Sequence, residues 1–170
     1  MCEEPNYSEK ILPDNFTCKS SSYYNDSRIH FPCTMAIDSI STEENSWAAD
    51  NEDIGAWIYI QFERYYKLSG LTFHRRFWHS GYKNKDEIKQ VILTYSDQTN
   101  AVVNMESTKE WTHLITPLKS TKYINITVKK IFNNDKMLGT LHVGFSEIEF
   151  YGHPGMNIYL FMYRKISSIN

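Results

Sequence analysis

Residues 36–62 read AIDSISTEENSWAADNEDIGAWIYIQF: an acidic, polar loop carrying Trp47 runs into a turn at Gly55 and then a dense run from Trp57 to Phe62. In that run Ile58, Ile60 and Phe62 fall on one face, with Trp57, Tyr59 and Gln61 on the other. Alternation of β-branched and aromatic residues, entered through a glycine, predicts a half-buried strand of an antiparallel sheet.

The same pattern recurs on either side. A short strand near 16–20 is expected in an otherwise irregular stretch 1–34. LSGLTFHRRF (68–77) is a strand with Leu71 and Phe73 inward, and IKQVILTYSD (88–97) is another, turning at SDQTN and returning through AVVNM. FERYYK (62–67) reads as a turn-like connector. WTHLITPLK (111–119) reads as an irregular edge piece, because Pro117 cannot donate to a central ladder. TKYINITVKKIF (121–132) alternates clearly, and HVGFSEIEFYG (142–152) closes the domain with Ile148 and Phe150 inward. Seven or eight short strands with no convincing helix predict an all-β sandwich or barrel.

Composition agrees. The 170 residues suit one domain, and 15% are Phe, Trp or Tyr, which favours sheet. A formal net charge of −2 argues against a nucleic-acid partner, which calls for a basic excess or stripe. The charge is uneven: six acids and no base lie between Asp38 and Asp53, whereas seven Lys or Arg lie between Arg64 and Lys89. Either two solvated faces or a functional polarity would produce this. No apolar run approaches the 18 or so residues of a membrane span, and residues 1–17 lack the apolar core of a signal peptide. The chain is therefore expected to be cytosolic, or a mature or excised segment.

The cysteines favour the second option. Cys2, Cys18 and Cys33 have no CxxC spacing, and a Cys18–Cys33 bridge would close a loop of 15 residues. In the chain-entropy view such a bridge contributes roughly 3 kcal/mol. The alternative is three reduced thiols. Sequons at Asn6, Asn15, Asn25 and Asn125 add weight to an extracellular setting. Asn125 shares a face with Tyr123 and Thr127, opposite Ile124 and Ile126, so it should point outward. Catalytic signatures are missing: there is no HExxH, Walker loop or GxGxxG, and Gly144-Phe145-Ser146 lacks the second glycine of a nucleophile elbow. His74 and His79 flank a loop but lack a third metal ligand in view.

In order along the chain, SSSYYND, AIDSI, the lone tryptophan of SWAAD, GAWIYIQFE, LSGLTF, IKQVILTYSD, EWTHLITPLKSTKYINITV and SEIEFYG resemble the discoidin domain, also called the coagulation factor 5/8 type C domain. The resemblance covers residues 18–152, leaving 1–17 as an N-terminal extension and 153–170 as a C-terminal extension or linker. It implies an eight-stranded antiparallel jelly-roll sandwich of the galactose-binding-domain-like kind. Two departures stand out: the family's Asp-Gly is Asp38-Ser39 here, which questions the tight left-handed turn, and no cysteine follows Cys33 to bracket the domain.

The resemblance also implies sites. Calcium-binding relatives hold the ion between the AxD loop and the last strand, which maps to Asp38, oxygens of 41–46 including Ser46, and Glu147. Hard oxygens of this kind suit calcium as a structural ion. Ligands are gripped at one rim of the sandwich, where Tyr23, Tyr24, Arg28 and His30 form one cluster and Arg75, Arg76, Phe77, Trp78 and Tyr82 another. Aromatic rings stack on sugars or sit at a bilayer surface, and arginine forks to anions. The other reading of Phe77 and Trp78 folds them into the core, where Trp47, Trp57 and Trp111 are also expected. The expectation is a non-enzymatic extracellular or cell-surface recognition module. Its partner is a glycan, or else a cell-surface or matrix protein; anionic lipid and an intracellular scaffold role are the alternatives.

Overall fold

The computed structural model describes residues 9–25, 30–42, 44–76, 87–106, 108–132 and 142–155. Seven strands run through them: β1 Phe16–Ser20, β2 Trp47–Ala48, β3 Trp57–Arg75, β4 Ile88–Tyr95, β5 Asn100–Asn104, β6 Trp111–Ile131 and β7 Gly144–Pro154. Single 3-10 turns occupy Pro13–Asn15 and Cys33–Ala36. All strand pairings are antiparallel.

Two strands are long because each serves both layers. The first part of β3 lies between β1 and β6, in register Cys18↔Ile60↔Ile124, and β6 passes the ladder on to β4 and β5. After a register shift between Gln61 and Tyr66, β3 continues between β7 and the first part of β6. A five-stranded layer thus faces a layer built from β2, β7, β3 and β6. The Glu9–Ile11 segment joins the second layer by the Lys10–Tyr151 bridge and the Ile11 N–H donating to Phe150 O. This is the jelly-roll sandwich expected. FERYYK is no turn, however: the irregular register at 61–66 bends the strand without ending it. WTHLITPLK is likewise part of a continuous strand, and it is at an edge, with Pro117 inside the shift between Ile115↔Gly70 and Lys119↔Leu68. A missing N–H is tolerated there.

The core lies between the layers. Ile58, Ile60, Phe62, Leu71, Phe73, Ile148 and Phe150 are all no more than 1% exposed. Full burial of such a side chain stabilises by about 2 kcal/mol. Phe62 and Phe16 meet Phe150 edge-on at 5.3 and 5.4 Å, across the two layers. Trp47 is fully buried, stacked 6.3 Å from Phe145, with Nε1 donating to Ser22 O. Trp57 and Trp111 are half-buried instead, Trp57 on the outer face of its layer. Gly144 is required beside Trp47, since a Cβ there would stand 1.8 Å from the Trp47 carbonyl oxygen.

Cys18 and Cys33 are bonded, closing the 15-residue loop. The boundary at residue 18 falls inside the folded unit: Ile11 is buried and β1 starts at Phe16, so residues 9–17 belong to the sandwich rather than to an extension. At the other end β7 runs to Pro154. Cys2, Asn6 and the tail 156–170 lie outside the described residues.

Candidate functional site

At one end of the sandwich, four segments of the chain converge. The Tyr24 N–H donates to Ala48 O at 2.7 Å, the Phe31 N–H to Tyr24 O at 3.0 Å and the Ala48 N–H to Phe31 O at 3.2 Å. The disulfide anchors the base of this loop, and the Asn25–His30 bridge narrows it towards its tip. Tyr23 is 46% exposed and His30 is exposed. Tyr24 turns sideways onto Phe31 and onto His142, whose ring is 4.4 Å away. Arg28 lies outside the described residues.

Of the two arginines of the second cluster, Arg75 is buried and Arg76 is half-buried. Arg75 is 3% exposed and ion-paired with Glu87, and it donates to the carbonyls of Glu106 at 2.8 Å and Lys109 at 3.2 Å. Its guanidinium lies 5.4 Å over Phe132. Burial lowers the Arg75 pKa and raises that of Glu87, with their mutual attraction opposing both shifts. Arg75 is therefore not at the ligand surface as expected, because it completes a buried pair. Arg76 donates from Nε to Ser46 Oγ at 3.1 Å and from a terminal nitrogen to His142 O at 2.7 Å, and it lies 5.0 Å over Phe31. It pins three segments together at the rim. Phe77, Trp78, His79 and Tyr82 lie outside the described residues. Sequence reasoning missed Phe31 and His142, on which this packing depends. Continuing the β3 alternation from Leu71 and Phe73 would have turned Arg75 inward, but nothing in the sequence marked His142. His74 is also buried, with Nε2 2.6 Å from a Glu110 carboxylate oxygen and its ring 4.2 Å from Trp111.

Below this rim, the loop after the second 3-10 turn folds around one atom. Asn45 Nδ2 has four oxygens at 2.8 to 3.1 Å: Met35 O, both carboxylate oxygens of Asp38, and Ile40 O. An amide offers two hydrogens to these four acceptors, and a surplus of hard oxygens is what a calcium ion satisfies. Glu147 lies beside them, its Oε2 accepting the Ser39 N–H at 3.1 Å. Burial, reinforced by the Asp38 charge, pushes the Glu147 pKa up to about 7. Ser46 is not among the oxygens around Asn45; its hydroxyl accepts from the Arg76 guanidinium. Among the described residues no three His, Cys, Asp or Glu side chains gather as metal ligands, so an ion here would depend on backbone carbonyls. Met35 O, Asp38, Ile40 O and Glu147 are the oxygens that would hold calcium here.

The tight turn survives the loss of glycine: Ser39 adopts φ +69°. A non-glycine residue in this region costs roughly 1 kcal/mol. Ser39→Gly is accordingly expected to raise stability by about 1 kcal/mol in a chemical melt, since the Ser39 contact to Glu147 uses only the backbone. An unchanged or lower midpoint would show that the serine side chain contributes more than the strain removes.

The fold defined by these layers is an antiparallel jelly-roll sandwich. The carbohydrate-binding module CpGH89CBM32-5 from Clostridium perfringens, in complex with GalNAc-β-1,3-galactose, superposes with a TM-score of 0.65 at 15% identity, covering 84% of this chain and 99% of that one. The family 32 module of C. perfringens NanJ, in complex with galactose, gives 0.63 at 15% identity, covering 84% and 97%. A His 62 mutant of the lectin-binding domain of lectinolysin, complexed with Lewis b, gives 0.64 at 14% identity, covering 85% and 97%. By sequence the chain belongs to the family described as Domain of unknown function (DUF7402), whose model matches residues 17–151. No curated protein matches it.

Proposed function

We propose that this domain is a non-enzymatic carbohydrate-binding module of a secreted or cell-surface protein, related in design to discoidin domains. Its ligand is a glycan taken at the rim, where Tyr23 and His30 are exposed. The observation that carries this reading is the shared jelly roll, since the three similar structures hold galactose, a GalNAc-galactose disaccharide and Lewis b. The rim is built to match: a packed base of Tyr24, Phe31, Arg76 and His142 supports an exposed Tyr23 and His30. A rigid base lowers the ordering cost of binding. The Cys18–Cys33 bond supports an oxidising compartment and weighs against a cytosolic scaffold. Calcium, held by Asp38, Glu147 and the Met35 and Ile40 carbonyls, would clamp the loop beneath the rim.

A glycan array run with calcium and with a chelator tests this reading. Tyr23→Ala is expected to weaken array binding by about tenfold or more while leaving the melting temperature nearly unchanged. A blank array, together with sedimentation on phosphatidylserine liposomes, would replace the glycan by an anionic membrane.

A further inference from the structure

Cross-strand register on the outer face of the five-stranded layer sets aromatic rings beside amides. Trp57, Tyr59 and Gln61 are successive outward positions of β3, about 7 Å apart. Tyr59 stands between Lys19 of β1 and Asn125 of β6, and Gln61 between Thr17 and Tyr123. The Tyr59 and Tyr123 rings are 5.0 Å apart with a 35° tilt. Their hydroxyls are tied to amides, Tyr59 donating to Gln61 Oε1 at 2.8 Å and Tyr123 accepting from Gln98 Nε2 at 2.6 Å. Together these side chains line an open trough of about 820 Å³.

A water-facing sheet surface normally carries polar side chains. Here three half-buried aromatic rings share it with three amides, and Lys19 is the one charged residue among those lining the trough. Without a dominant charge the trough has nothing to select an anion. β3 and β6 are paired on both sides along this floor, so no free backbone edge is offered to an extended peptide. Recognition must come from side chains, by ring faces for apolar C–H patches and by amides for hydroxyls. That combination suits a polyhydroxylated, uncharged chain.

We propose that this trough is a second binding site, for a neutral oligosaccharide lying along β3, separate from the rim. Asn125 lies within it, so an N-glycan at that sequon and a bound oligosaccharide exclude one another.

The test is isothermal titration of the whole domain, produced in bacteria so that Asn125 is bare, with cello-, xylo-, manno- and galacto-hexaose. At least one hexaose is expected to bind, and Trp57→Ala and Tyr123→Ala should each weaken it by about tenfold or more. Gln98→Ala, in an exposed turn, should also weaken it without lowering the melting temperature. Tyr23→Ala, at the rim and outside the trough, should leave this binding intact, which separates failure of the trough from failure of the rim. The proposal is overturned if none of the four hexaoses binds, if Trp57→Ala and Gln98→Ala bind as wild type does, or if Tyr23→Ala abolishes the signal.

Discussion

Arg75→Ala is expected to lower the melting temperature by about 10 °C. The substitution does not merely delete a contact. It leaves the Glu87 carboxylate, 14% exposed at the side chain, without its cationic partner, and frees the Glu106 and Lys109 carbonyls. Breaking a buried pair from one side costs about 3 to 5 kcal/mol, whereas replacing both members by apolar residues of similar volume is often nearly neutral. The double variant Arg75→Met/Glu87→Leu should therefore regain most of the lost stability. A thermal melt of the two single variants and the double variant decides the matter. If Arg75→Ala melts within about 2 °C of wild type, the pair is solvated and the residue returns to the list of surface contacts.

The second large effect is a pH dependence centred on Glu147. Its folded pKa of about 7 stands above the ordinary 4.5, because burial penalises the charged form and Asp38 adds repulsion. A raised folded pKa means that the folded state keeps a proton that the unfolded chain has already lost. Stability is then greatest below the unfolded value and falls as pH rises from 4.5 to about 7. The full loss is on the order of 3 kcal/mol. Glu147→Gln should remove this slope, so that the variant outlasts wild type near pH 8 in chelator and matches it more nearly in acid. Bound calcium would oppose this loss in wild type, since a cation favours the carboxylate. Millimolar calcium should raise the wild-type melting temperature near pH 8 and do much less for Glu147→Gln. Parallel melting curves for the two proteins across the pH range would refute the assignment of Glu147. A pH slope without a calcium response would keep the buried carboxylate and discard the ion.

The fold was legible because its determinants are local. The parity of Ile58, Ile60 and Phe62 needs only a pleated strand with one wet face, and those residues are buried as that parity requires. Ser39 takes the left-handed turn without glycine, because Asp38 accepts the Ile40 N–H and the Ser39 N–H meets Glu147. The rim was much less legible. Arg75 and Arg76 look alike in the string HRRF, yet one completes a buried ion pair and the other bridges Ser46, His142 and Phe31. Their partners come from segments 12 to 66 residues away, outside the strands, so no spacing rule announces them.

Alternation, turn residues and the cysteine spacing thus determined an antiparallel sandwich, its inward faces and the Cys18–Cys33 bond, because each depends on chemistry within a few residues or on one short loop. Only the tertiary structure decided which charged side chains are buried, that Asn45 gathers the oxygens of Met35, Asp38 and Ile40, and that Tyr59, Tyr123 and Gln98 share one trough. Those arrangements depend on strand order and register between distant segments. A side chain's solvation is set by what other segments bring to it, and local sequence carries little record of that.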